Sequence, residues 1–279
     1  MIAESEVVSS DGRVLHVYDS GGSDGSLAVV WLHGTPNVGE PPEPLLAPAA
    51  VRGMQWVSYD RPGYGRSTPH PGRDVASAAA DVATVADALG IERFALMGHS
   101  GGATHALACA ALLPGRALAV AAVSGTAPFV AEGLDWFSGM ANPGTVLAAL
   151  QGRAALEAYL ASDDDGPDPF TPEDSAALAR RWSWVADVAG RAFAGGTTGM
   201  VDDELAYVAP WGFDLANVTL PVLVVHGGQD RMVPAAHGRW LARRLPAAEM
   251  WLRPEDGHIT VLDAGVGALD WLLAHAAAG

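Results

Sequence analysis

Short runs of uninterrupted apolar residues, separated by stretches whose apolar positions recur at helical spacing, constrain this chain more than any other feature. Leu27 to Leu32, Gln55 to Tyr59, Phe94 to Met97, Leu118 to Val123 and Leu220 to Val225 are such runs. A strand that is apolar on successive residues must be covered on both faces, which is the situation of a strand inside a parallel sheet. Val14 to Tyr18 alternates apolar and polar, as a half-buried strand does, and the first sixty residues read as strands throughout. Helical spacing appears over Asp74 to Leu89, stopped by Gly90, and over Ser100 to Leu113, stopped by Pro114-Gly115. It returns near Ala235 to Leu245 and Val261 to His275, with a strand at Glu249 to Leu252 between them. Strand alternating with helix specifies an α/β fold: a mostly parallel, doubly wound sheet with helices on both faces.

The rhythm breaks between Ala127 and Phe213. Gly144 to Leu160 and Pro172 to Ala194 read as helical, Asp163 to Pro169 as a loop between them, and no buried-strand run occurs. The predicted organisation is therefore a core in two parts, residues 1–126 and 214–279, with a helical insertion at 127–213. The chain is 279 residues long, enough for one full core plus such an insertion. No repeat or low-complexity segment is present.

Charge and cysteine content narrow the function. The formal net charge is −16, and every basic residue is an arginine. A chain this acidic repels nucleic acid and anionic membrane surfaces, and its charge fits ordinary solubility. Cys109 is the only cysteine, so no intramolecular disulfide or cysteine metal site can form; within Ala106 to Leu112 it reads as a small buried hydrophobe. The acidic start, Met1 to Glu6, lacks the order of a signal peptide, and no apolar run approaches the ~20 residues of a membrane span. The expected setting is cytoplasmic, as a monomer or homodimer.

Gly98-His99-Ser100-Gly101-Gly102 follows one apolar strand and opens a helix, the setting of a G-x-S-x-G nucleophile elbow. A tight turn there strains the serine, and small neighbours let its hydroxyl stand clear. The following helix start directs N–H groups at developing negative charge. A serine needs a base that is itself oriented. Two downstream loops can supply these groups, His226 to Pro234 with Asp230, and Asp256 to Ile259 with His258. Ser100, Asp230 and His258 then each follow a strand, where open parallel sheets place their sites. His33 and His226 read as loop-holding residues, Asp256 as a turn residue, and Asp60 and Arg61 as braces. His99 either lines the pocket or points into the core.

With His33-Gly34-Thr35-Pro36 and Asp60-Arg61-Pro62-Gly63-Tyr64-Gly65-Arg66-Ser67 added, the chain resembles the α/β-hydrolase superfamily, in its group with a helical cap, over nearly its whole length. That resemblance implies oxyanion-hole donors at the backbone N–H groups of Thr35 and Gly101, and a cis bond between Thr35 and Pro36. Some relatives carry a carboxylate after the strand that here ends at Val123, but this chain has Ser124-Gly125-Thr126, which leaves Asp230 as the acid.

Sharing a triad does not fix a reaction. Dehalogenases and epoxide hydrolases of this superfamily have aspartate where Ser100 stands. Proline iminopeptidases have His-Gly-Gly-Pro-Gly and a tryptophan after the serine, where this chain has Thr35 and Gly101. Carbon–carbon hydrolases commonly have tryptophan after the catalytic histidine, where Ile259 stands. The expected reaction is hydrolysis of a carboxylic ester or related acyl bond through an acyl-serine. The alternatives are a perhydrolase of the haloperoxidase type, a C–C hydrolase, a cofactor-free lyase or oxygenase, and a non-hydrolytic ligand-binding member. No dinucleotide motif follows a strand and no metal-ligand spacing recurs, so neither cofactor nor metal is expected. Activity should rise with pH, because only neutral His258 can accept the Ser100 proton.

The insertion is rich in aromatic residues: Trp136, Phe137, Tyr159, Phe170, Trp182, Trp184, Phe193, Tyr207, Trp211 and Phe213. A small insertion has little interior of its own, so some of these rings should face the cleft and select a small, mostly apolar substrate. Trp136 and Phe137, close to the entry point, are the preferred pocket residues.

Overall fold

A computed structural model describes residues 2–23, 25–162 and 166–277. Eight strands form one sheet in the order β1-β2-β4-β3-β5-β6-β7-β8. They are β1 (Ala3–Val8), β2 (Val14–Asp19), β3 (Leu27–Leu32), β4 (Met54–Tyr59), β5 (Phe94–His99), β6 (Ala117–Val123), β7 (Val222–Gly227) and β8 (Ala248–Arg253). β1 and β2 pair antiparallel with each other, β2 pairs antiparallel with β4, and every other pairing is parallel.

The apolar runs fall in the middle of the sheet because both of their faces are covered. Val30 and Leu32 join a core on one face with Leu107 of α3 (Gly101–Leu112), Val82 of α2 (Ser77–Ala88) and Leu241 of α9 (Ala235–Arg244). Val29 and Trp31 join a second core with Leu45 of α1 (Glu43–Val51) and Leu269 of α10 (Gly265–Ala276). Full burial of each such side chain contributes about 1.5–3 kcal/mol, so β3 and its neighbours fix the register of the fold. Cys109 lies inside the first core, as expected, and burial pushes its thiol well above the usual range.

Three departures from the expected elements are local, one being that the stretch from Pro172 to Ala194 is broken into two helices between Leu178 and Ser183. The first sixty residues are not all strand: α1 starts after Pro42, with Pro44 in its first turn, where a missing N–H costs nothing. The helical stretch from Gly144 is split at Gly152, whose φ of 95° ends one helix and starts the next. The segment between β6 and β7 contains α4 (Gly144–Leu150), α5 (Arg153–Leu160), α6 (Pro172–Leu178), α7 (Ser183–Ala194) and α8 (Thr198–Val208), and no strand among its described residues. Asp163 to Asp165, the start of the expected acidic loop, lie outside the described residues, and the rest of that loop is not helical. No described helix is long and apolar enough to cross a membrane.

Most rings of this segment do not face a cleft. Trp182 and Trp184 pack into the second core beside Trp31, and Trp211 packs into the first. Phe193 is half exposed. The interior around these rings is supplied by the α/β domain that the sheet and its flanking helices form.

A buried ionic cluster fixes α8 to that domain. Asp203, fully buried, accepts hydrogen bonds from Arg61 Nη2 at 2.7 Å, Arg73 Nη1 at 2.5 Å, Tyr64 Oη at 2.8 Å and Thr35 Oγ1 at 2.9 Å. Burial alone favours the neutral acid, but Arg61 and then Arg73 outweigh it and hold the carboxyl well below its ordinary range. Removing the charge leaves both guanidinium groups buried without a counter-ion, which typically costs about 3–5 kcal/mol. Asp203→Asn should therefore lower the unfolding free energy by about that amount in urea melts near neutral pH. An unchanged midpoint and slope would show that the cluster does not hold α8.

Candidate active site

Ser100 occupies the turn between β5 and α3 with φ 56° and ψ −128°, a backbone conformation that residues with a Cβ rarely adopt. The turn is held by Ser100 N donating to Val123 O at 2.8 Å. Its glycines are required by close approach. A Cβ on Gly102 would sit 1.9 Å from Leu32 O, and one on Gly98 would sit 2.3 Å from Gly102 O. Glycine at 102 lets the elbow pack against the end of β3, and glycine at 98 lets the end of β5 approach the first turn of α3.

His258 and Asp230 meet at 2.7 Å, Nδ1 to Oδ2, with both side chains buried. Asp230 is oriented in turn, because its Oδ1 accepts from Met232 N at 3.0 Å and Val233 N at 2.8 Å. Burial opposes its charge, but His258 prevails, and the carboxyl is held below its usual range. An ionised Asp230 requires Nδ1 of His258 to carry the proton, so Nε2 is the basic nitrogen. The elbow and the His258 loop are joined through His99, whose Nε2 donates to His258 O at 2.9 Å. Burial, and then the neighbouring His258, push His99 down to about 3, so it stays neutral. No Ser100–His258 hydrogen bond is formed among the described residues; in free enzymes this contact is often long and tightens with substrate.

Thr35, Ser100 and Gly101 line one cavity of about 230 Å³, and a Cβ on Gly101 would sit 2.8 Å from Thr35 Oγ1. The Thr35–Pro36 bond is cis. Trp136, Met140, Met200, Glu204, Tyr207 and Met232 also line this cavity. Trp136 is set there by its Nε1 donating to Ala127 O at 3.0 Å and by His237, whose Nε2 donates to Trp136 O at 2.9 Å. Two expected pocket residues are corrected. Phe137 is not a lining residue, because its ring packs edge-on against Phe129 and Trp136. His99 is not one either, because its hydrogen bond turns it towards the His258 backbone. A larger groove of about 570 Å³, beside Trp211 and Trp240, contains none of Ser100, Asp230 and His258.

The other weighed residues act within loops. His33 accepts from Arg61 N at 3.0 Å, and His226 bonds Val233 O at 2.8 Å. Asp60 accepts from Gly39 N at 2.6 Å and Arg66 N at 3.0 Å, and Asp256 pairs with Arg253 at 2.9 Å. Among the described residues no group of three or more His, Cys, Asp or Glu could hold a metal ion.

Sequence reasoning missed Glu204 and Asp174 on the helical segment and named Tyr207 only as one of its ten rings. Tyr207 Oη lies 2.8 Å from Thr35 Oγ1, and a Cβ on Gly101 would fall 2.1 Å from it. Glu204 lies one turn earlier on α8. Asp174 is the N3 residue of α6 in a capping box with Thr171, and its signal was visible in Thr171-Pro172-Glu173-Asp174. The same carboxylate accepts from His258 N at 3.1 Å, Ile259 N at 3.0 Å, Thr260 N at 2.8 Å and Thr260 Oγ1 at 3.0 Å. Burial opposes its charge too, yet the N–H groups of Thr260, Thr171 and Ile259 hold its carboxyl below the usual range. Gly257 makes room, since a Cβ there would sit 2.0 Å from Asp174 Oδ2.

A strained serine beside a sheltered His–Asp pair, at the carboxyl ends of parallel strands, is the arrangement of a hydrolase-type α/β enzyme. Residues 28–265 match the family model described as the alpha/beta hydrolase fold, and the chain belongs to that family. It is 32% identical over 242 residues to a non-heme chloroperoxidase of Streptomyces lividans, covering 82% of this chain and 83% of that protein. Its fold is similar to that of the enol-lactonase from Burkholderia xenovorans LB400, with a TM-score of 0.72 at 21% identity over 97% of this chain and 99% of that one. An esterase from Rhodococcus sp. ECU1013 gives 0.71 at 20% identity, over 97% and 98%.

Asp174→Ala should loosen the His258 loop. Amide exchange at His258, Ile259 and Thr260 should accelerate by on the order of tenfold, the equivalent of about one net hydrogen bond, with β5 amides unaffected. Unchanged exchange at those three amides would show that the loop is held without Asp174.

Proposed function

We propose that the protein is a serine hydrolase that cleaves a carboxylic ester, or a related acyl bond, of a small and mostly apolar molecule. The observation that carries this reading is the strained Ser100 opening into a closed-in cavity, next to a loop whose histidine is proton-locked at Nδ1 by Asp230. His258 Nε2 takes the Ser100 proton as Oγ attacks the carbonyl carbon. The N–H groups of Thr35 and Gly101 receive the oxyanion. His258 then returns the proton to the leaving oxygen, giving the free alcohol and an acyl-serine, and next deprotonates the water that releases the acid. Losing one oxyanion donor typically costs about 10²–10³ in turnover.

Residues 127–213 act in this reading as a helical cap. Its support is that Trp136, Met140, Met200, Glu204 and Tyr207, all from that segment, line the same cavity as Ser100. The cavity volume of about 230 Å³ suits a short-chain substrate.

One observation favours a second reading, the relation to a protein named as a non-heme chloroperoxidase. The same acyl-serine attacked by hydrogen peroxide in place of water would release a peracid and free serine, with no change in the roles of His258 or Thr35. Peracid formation from an ester plus peroxide, measured beside plain hydrolysis, separates the two.

Ser100→Ala should abolish hydrolysis of p-nitrophenyl esters and labelling by a fluorophosphonate probe, with an unchanged circular dichroism spectrum. Persisting turnover in that variant would remove Ser100 from the mechanism. Trp136→Ala should lengthen the preferred acyl chain in a panel of p-nitrophenyl esters, whereas Phe137→Ala should leave the preference as it is. The reverse pattern would mean that the cavity described above is not where the acyl chain lies.

A further inference from the structure

The mechanism above leaves one acid group of the cavity unused. Glu204 lines it beside Ser100 and is half-buried, and it makes no hydrogen bond or ion pair to any described residue. Its neighbours on α8 are accounted for: Asp203 is held by Arg61 and Arg73, and Asp202 by Arg153. Among the described residues no arginine or histidine lines the cavity, whose other polar side chains are those of Thr35, Ser100, Thr126, Trp136, Asn142, Thr145 and Tyr207.

We propose that Glu204 determines specificity, its protonated carboxyl donating a hydrogen bond to an oxygen of an uncharged substrate, so that the enzyme takes neutral, oxygen-bearing esters and rejects carboxylate-bearing ones. This rests on the serine-hydrolase reading. A charged carboxylate would have no counter-ion among the described lining residues, whereas a neutral acid has a donor to offer a ligand. Burial, and then the adjacent Asp203 charge, push Glu204 up to about 8, so the acid form prevails at neutral pH. The groups facing it have been named or are neutral. Tyr207, one turn on, has its phenol pushed up by burial and by Asp203. Of the helices packed on α8, α4 carries no ionisable residue, and α5 carries Arg153, Glu157 and Tyr159. His105, against Asp203 from the other side, is pushed down to about 4 by burial and by Arg61. A substrate carboxylate would meet Asp203 behind the wall and no free cation among the lining residues.

The test compares p-nitrophenyl hexanoate with matched chains ending in a methoxy group, a carboxylate or a trimethylammonium group, at about pH 6 and about pH 9. The wild type should prefer the methoxy ester over the carboxylate ester by at least about tenfold in kcat/KM at the lower pH. At the higher pH it should lose that hydrogen bond and gain relative activity on the trimethylammonium ester. Glu204→Gln, which keeps an uncharged donor, should keep the low-pH profile at both pH values. Glu204→Leu should lose the preference for methoxy over plain hexanoate. Infrared difference spectra of wild type minus Glu204→Gln at neutral pH should contain a protonated-carboxyl C=O band. Calorimetry of the corresponding methyl ketones, which bind without turnover, should give the same ranking as the esters. An absent carboxyl band, a pH response retained in Glu204→Gln, or an unchanged profile in Glu204→Leu would each overturn the proposal. If Ser100 is never labelled and no ester is cleaved, the hydrolase reading fails, while the infrared and ketone measurements still decide the role of Glu204.

Discussion

Two carboxylates buried without access to bulk water, Asp203 and Asp174, hold together the parts on which the site depends. Both lie on the helical segment between β6 and β7, and both reach out of it into loops that follow strands of the sheet. Asp203 draws in Arg61, Arg73, Tyr64 and Thr35, and so joins α8 to the loops after β3 and β4. Asp174 receives the backbone N–H groups of His258, Ile259 and Thr260. A buried charge left unpaired is costly, and a carboxylate fully matched by donors fixes the geometry around it. The segment thus does more than line the cavity. It sets the positions of the residues proposed as oxyanion donor and base.

The same contacts tie stability to pH in one direction. Asp203, Asp174 and Asp230 each have a folded-state carboxyl held below the ordinary range. A group of that kind contributes stability above its unfolded value and loses it as pH falls through the folded one. Acid therefore releases α8 from Arg61 and Arg73, the His258 loop from Asp174, and His258 from its orienting partner. These are loosened by one chemical event, protonation of aspartate, so the site and the contacts that place it weaken together.

The sheet was legible in the sequence because burial on both faces leaves no room for a polar residue, and Leu27 to Leu32 or Leu220 to Val225 can be little else. The elbow was legible because close approach demands glycine at 98 and 102, and the residues proposed as acid and base because each lies in a loop that follows a strand. What was not legible depends on partners far away in the chain. β1, with the sequence Ala-Glu-Ser-Glu-Val-Val, is an exposed edge strand whose composition carries no burial signal, so the general reading of the first sixty residues as strands did not place its bounds. α8 was not singled out, since its Asp202-Asp203-Glu204 run looks like a solvated acidic face. Nothing local says that Arg61 and Arg73, more than a hundred residues earlier, will receive Asp203. The aromatic count of the insertion misled for a related reason: rings such as Trp182 and Trp184 find their interior on the sheet domain, not in the cleft.

That acidic run is where sequence and function part most clearly. In a helix successive side chains point about 100° apart, so three adjacent acids on α8 enter three different surroundings. Asp202 turns to Arg153, Asp203 to the buried arginine pair, and Glu204 to the cavity. The first two are matched by guanidinium groups. The third has the field of its neighbour, and that field is negative, so the Asp203 charge that the arginines stabilise in its own place makes ionisation of Glu204 costlier in the next. Two adjacent carboxyls are thereby driven to opposite protonation states, one serving as a structural anion and the other available as a neutral donor. The charge on Asp203 thus both anchors the segment and keeps the wall of the cavity uncharged.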